Sequence, residues 1–174
     1  MSVHPYDPVY LPWGTVTDRF WAYGARGVDG RLAAIAAAAE AGDQVRAAAQ
    51  AEALDSEVSG THGERHPALP DIREVRGYLA HLTGRHTDAV RWYLEAVRLR
   101  AELTGPGHPE TALAVRRACS LWRSIPGTEA VALGAELLTT VLAVEGPRSR
   151  AVRHIGDHLL AVTEPGRISP HPSG

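Results

Sequence analysis

Arg116 and Arg123 lie seven residues apart, which is two turns of a helix, so on a helix they share one side. Two guanidinium forks on one side suit a carboxylate, a phosphate or an acidic peptide. Histidines offer a second chemistry. His154 and His158 are spaced i, i+4 with Asp157 between them, and His62 and His66 repeat that spacing around a turn. Such a pair can hold one face of a zinc ion, but a site needs at least one more ligand. There is no HExxH motif, and Cys119 is the single cysteine, so no metal site is expected. Nucleophilic catalysis has no better footing. The sequence lacks GxSxG and any Gly-rich phosphate loop. All eighteen basic side chains are Arg, which removes Schiff-base and P-loop lysine chemistry. Cys119 sits beside Ala118 and reads as a small buried hydrophobe, because a reactive thiol needs a base and an electropositive pocket. The expectation is a non-enzyme with no catalytic residue and no cofactor.

Composition sets the frame. The chain has 174 residues, enough for one domain, with 44% apolar and 22% charged residues. That balance is globular. A net charge of −2 argues against sequence-blind nucleic-acid binding. The most apolar stretch, 32 to 41, is too short for a membrane span and carries Glu40. No basic region followed by an apolar run marks a signal peptide. The all-Arg usage suggests a high-GC bacterium, and the expected location is its cytoplasm.

Three zones differ. Residues 1 to 26 hold six of the ten aromatics, including Trp13, Phe20 and Trp21, and three prolines. Residues 27 to 162 are rich in Ala, Leu, Val and Arg. Residues 163 to 174 are rich in Pro, Gly and Ser and read as a disordered tail.

The middle zone reads as helix throughout. Apolar stripes recur at spacings of three and four: Ile72, Val75, Leu79 and Leu82; Val90, Leu94, Val97 and Ala101; Ala114, Ala118, Leu121 and Ile125; Val131, Ala135, Leu138 and Leu142; Val152, Ile155, Leu159 and Val162. No run alternates as a strand does. Twelve alanines between 33 and 53 favour helix and close approach. Short turns at Gly42-Asp43, Gly84 to Thr87 and Pro126 to Thr128 end in good capping residues. Longer turns carry GERHP, GPGHP and GPRSR, with Pro67 and Pro109 placed to start the next helix and His66 and His108 on its capping side. The expected pairs are 28–41 with 44–59, 69–83 with 88–103, and 110–124 with 129–145. A seventh helix covers 148–162.

The turns recur at a fixed interval. Gly63, His66 and Pro67 precede Gly105, His108 and Pro109 by 42 residues, and Gly42, Gly84 and Pro126 share that spacing. Such a period signals a helical array whose units bury their faces against neighbours. The block from His66 to Pro109 resembles a tetratricopeptide repeat, in the 42-residue variety of kinesin light chains and of arrays attached to bacterial signalling ATPases. Gly77 falls at the small position of the first helix and Gly84 at the turn. Ala89, Tyr93 and Ala96 fall at the small, aromatic and small positions of the second. The outer units depart from the pattern, with Ala51 and Ala135 at the aromatic position.

The resemblance implies an all-α, right-handed superhelical stack of three helix pairs with a C-terminal capping helix. It implies a non-enzymatic adaptor that binds a protein or peptide in a concave groove. First helices would line that groove through Asp29, Leu32, Ala36, Ala39 and Glu40, then Asp71, Glu74, Tyr78, His81 and Leu82, then Leu113, Arg116, Ser120, Arg123 and Ser124. Within it, Asp71, Glu74, Tyr78, His81, Arg116, Ser120 and Arg123 are the candidate partner-binding residues. Neither nucleic acid nor a membrane is expected as a partner. Two other functions stay open: a regulatory module for a small anionic ligand or signalling peptide, and a self-associating structural subunit. Residues 1 to 26 would cap the first pair, lie in the groove, or join two copies through Trp13, Phe20 and Trp21.

Overall fold

A computed structural model describes residues 28–163, and the N-terminal aromatic segment and the C-terminal tail lie outside them. Seven helices make up the described chain: α1 (Val28–Glu40), α2 (Gln44–His62), α3 (Leu69–Leu82), α4 (His86–Thr104), α5 (Pro109–Arg123), α6 (Thr128–Glu145) and α7 (Arg150–Thr163). No strand occurs among these residues, so the fold is all-α. Each helix packs on its neighbours in the chain; α4 also meets α6, and α5 also meets α7.

Six glycines punctuate the helices, all with left-handed backbone. Gly42, Gly84 and Gly127 have φ of 86°, 75° and 77°; Gly63, Gly105 and Gly146 have φ of 84°, 97° and 79°. Side-chain-bearing residues rarely adopt this conformation, which is why glycine recurs there. Gly63, Gly105 and Gly146 each cap a long helix by donating their N–H to Ser59, Ala101 and Leu142 respectively. The 42-residue period of the sequence is therefore a period of backbone conformation, within one residue, and the fold is repeat-like.

The helix starts follow local chemistry. Asp43 caps α2 by accepting the Arg46 N–H at 3.1 Å. His108 caps α5 through Nδ1, which accepts the Glu110 N–H at 3.2 Å, and Pro109 opens that helix. His66 Nδ1 accepts the Ala68 N–H at 3.3 Å in the same manner. Three expectations need correction. Arg85 and Gly127 stand at the capping positions of α4 and α6 without a side-chain bond, so Thr87 and Thr128 fall inside the helices. Pro67 stays in the turn, and Pro70 takes the first turn of α3 instead.

The third correction concerns α6. Its buried face is Ala130, Leu133, Gly134, Leu137, Thr140 and Val141, not the expected stripe from Val131 to Leu142. Gly134 explains the rotation. A Cβ there would stand 2.5 Å from Trp122 Cζ2 and 2.6 Å from Leu159 Cδ2, so only glycine fits against that ring. The central pair uses the same device with the roles exchanged. Gly77 of α3 faces Tyr93 of α4, with 2.6 Å between a built Cβ and Tyr93 Cδ2.

Ala89 closes this central contact. It is fully buried, and its carbonyl oxygen would lie 3.1 Å from a Cβ on Gly77. Ala89→Leu is expected to overpack the contact and cost about 1–3 kcal/mol. An unchanged melting temperature would show that α3 and α4 do not meet there.

Apolar side chains form two clusters rather than one. The first joins α1, α2 and α3 with Leu99 of α4; the second joins α4 to α7 around Trp122, Leu94 and Leu137. Their boundary runs between α3 and α4, and charged groups are buried along it.

Candidate functional site

Glu74 of α3 is 0% exposed and is the centre of the buried charges. It accepts from Arg100 Nε of α4 at 2.9 Å and from Arg117 Nη1 of α5. Arg100 also donates to Asp71 at 2.6 Å and pairs with Glu110 at 3.5 Å. Three helices are thereby locked at one carboxylate. Burial opposes the charge on Arg100, but Glu74 and then Asp71 outweigh it and hold that guanidinium's pKa above its ordinary value. Tyr93 shares the pocket. Burial first, and Glu74 second, push its hydroxyl well above the usual tyrosine range.

A second set of charges ties α3 to α2. Asp55 of α2 is buried and accepts from Arg76 at 2.6 Å, with Arg73 Nε 3.6 Å away. Arg73 also pairs with Glu64 of the preceding turn and with Glu95 of α4. The Arg76 guanidinium lies 3.8 Å above the Trp92 ring, where a cation is attracted to the π face. Because α3 carries Arg73 and Glu74 side by side, it grips α2 with one residue and α4 and α5 with the next.

These pairings decide where the candidate groove residues stand. Glu74 is enclosed by guanidinium groups and faces protein, not an incoming partner. Asp71 is half-buried beside Arg100. Tyr78 is half-buried and packs on the N-terminal apolar cluster. His81 is half-buried, with its ring 5.5 Å from His86. Burial, and then His86, lower its pKa. Ser120 is buried, while Arg116 and Arg123 on the same side of α5 are exposed. On α1, Leu32 and Ala36 belong to the core rather than to an open face, Glu40 is exposed, and the Asp29 side chain lies outside the described residues. Trp13, Phe20 and Trp21 lie outside them as well.

Asp71 and Glu74 of the expected groove are thus engaged in packing, and Arg116 and Arg123 stay at the surface. Arg116 makes no ion pair among the described residues. Arg123 faces a more crowded corner. Its charge lowers the pKa of His158, where burial is the larger cause, and partly offsets the rise of the Cys119 thiol. Burial and then Glu145 still push that thiol up to about 12, so it is held protonated and inert at neutral pH. His158 sits edge-on to Trp122 with ring centroids 4.9 Å apart. No group of three or more metal-ligating side chains occurs among the described residues. None of the described helices is long and apolar enough to cross a membrane.

Sequence reasoning missed Arg100 and Arg117 as structural charges. A signal existed for Arg100: it follows Val97 by three and Tyr93 by seven, which places it on the apolar face of α4. Arg117 had none, since it adjoins Arg116 in an Arg-rich chain. No protein-family model, no curated protein and no solved structure matches this chain.

Proposed function

We propose that the chain is a non-enzymatic module that binds an acidic protein segment or peptide. In this reading the three helix pairs form a tetratricopeptide-like right-handed superhelix, closed by α7. First helices α1, α3 and α5 line its concave side. The protein acts in a bacterial cytoplasm as an adaptor and depends on its partner for output.

One observation carries the proposal. Arg116 is exposed and without an ionic partner among the described residues, while Arg117 beside it is buried and paired with Glu74. A guanidinium left at the surface, two turns from Arg123 and with Ser120 between them, suits a carboxylate-bearing partner. Tyr78 and His81 supply half-buried ring surface on the neighbouring first helix.

Replacing Arg116 and Arg123 with Glu is expected to abolish capture of acidic peptides. Helical content should be unchanged, because both side chains are exposed. Calorimetric titration against acidic, neutral and basic peptides checks this. Undiminished binding by the double variant would move the site off α5. Binding of free di- or tricarboxylates with no binding of peptides would favour the small-ligand reading instead.

A further inference from the structure

α6 is apolar on two sides. Leu133, Gly134, Leu137 and Val141 face the core, and Val131, Ala135, Leu138 and Leu142 form a second stripe. A helix with apolar residues on both sides suits burial on both. The repeat shows what the second stripe is for. Its four residues stand 41 positions after Val90, Leu94, Val97 and Ala101 of α4, the spacing that also separates Gly105 from Gly146. In α4, Val90, Leu94 and Val97 are buried in the cluster that α5 and α6 complete. In α6, Leu138 is half-buried, but Ala135 is exposed and Leu142 is 41% exposed. α7 repeats the contrast. Val115 and Cys119 of α5 are buried, whereas Gly156 and Leu160, 41 positions on, are half-buried and 64% exposed. A Cβ built on Gly156 meets nothing. Three of the five exposed large apolar side chains among the described residues, Leu142, Leu160 and Val162, therefore lie on the last two helices. The place that a further helix would fill, beside α6 and α7 together, is open among the described residues.

Residues 164–174 are unsuited to fill it as a helix, since they carry Pro165, Pro170 and Pro172, and Ile168 is their one large apolar side chain. We propose that a second copy of this chain covers this face, with α6 and α7 of the two copies forming an antiparallel four-helix bundle about a two-fold axis. Charge selects this occupant and this direction. Arg153 and Asp157 lie one turn apart on the exposed side of α7, and neither forms an ion pair among the described residues. With two α7 helices antiparallel about an axis level with Ile155, Arg153 of each copy stands level with Asp157 of the other, and like charges are about 6 Å apart along the helices. A parallel arrangement would set like charge against like. Ala135 and the bare Gly156 allow close approach at the centre. Helices of 18 and 14 residues side by side offer a footprint of about 500 Å² on each copy, which fits a weak, reversible dimer. The contact uses neither Arg116 nor Arg123, so it stands or falls apart from peptide binding.

Sedimentation of the full chain tests it. Across a range of about 5–500 µM the mass is expected to rise from 18.6 kDa, one copy, toward twice that value. Leu142→Glu and Leu160→Glu alter exposed positions, so helical content should be unchanged and association weakened about tenfold or more. Arg153→Asp alone and Asp157→Arg alone each set like charges together and should weaken association too. Mixing those two single variants in equal amounts should restore the dimer, because every carboxylate then meets a guanidinium across the axis. A one-copy mass at every concentration would overturn the proposal. So would a dimer indifferent to Leu142→Glu and Leu160→Glu, or no recovery on mixing the charge variants. Contacts between the Leu160 methyls and Ile168 in a monomer would overturn it as well, because the occupant would then be the tail.

Discussion

Glu74→Ala is expected to remove about 3–5 kcal/mol of stability, because it leaves the Arg100 and Arg117 guanidinium groups buried without their common carboxylate. Arg117 is 4% exposed. The loss follows from breaking a set, not from the intrinsic worth of ion pairs. Replacing all three residues together, with Leu at 74 and Met at 100 and 117, should therefore cost far less than the single substitution. Urea unfolding of the two variants, compared by midpoint and slope, distinguishes these outcomes. If the triple variant is as unstable as Glu74→Ala, the network contributes to stability beyond mutual neutralisation. A Glu74→Ala protein as stable as the parent would mean that α3, α4 and α5 are not joined at this point.

Trp122→Ala should be comparably damaging, at about 3–5 kcal/mol. The ring is 1% exposed and fills the space that Gly134 vacates on α6. Its Nε1–H donates to the Ala130 carbonyl at 2.6 Å, and its edge meets His158 of α7. Trp122→Phe keeps most of the ring and loses the hydrogen bond, and about 1 kcal/mol of the effect should remain. The damage should also be local. α7 packs chiefly on α6 and, less, on α5, so amide exchange along Arg150–Thr163 should accelerate before that of α3 and α4. A uniform loss of protection over all seven helices would show that the two apolar clusters open as one.

Helices and turns were legible because their signals are local. Glycines at 42 and 84, and at 63 and 105, marked the helix ends that the backbone confirms, with left-handed φ at each. Packing phase was less legible. The stripe from Val131 to Leu142 fits helical spacing as well as the true face does, and the side chains packed on Gly134, those of Trp122 and Leu159, lie too far along the chain for local spacing to reveal them. Long-range electrostatics were least legible. Glu74 and Arg117 lie 43 residues apart, and nothing local separates Arg117, which is buried, from Arg116, which is not. Charge on a first helix suggests groove lining from the sequence alone, whereas Asp71 and Glu74 bolt the helices together.

That division leaves the exposed side of α5 as the place where a partner would register. Backbone amide shifts of the labelled full chain, followed through titration with an acidic peptide, measure this residue by residue. The largest changes are predicted at Leu113, Arg116, Ser120 and Arg123, with weaker ones at Asp71, Tyr78 and His81. Changes confined to α6 and α7, or a spectrum that does not respond to acidic peptides, would contradict the account.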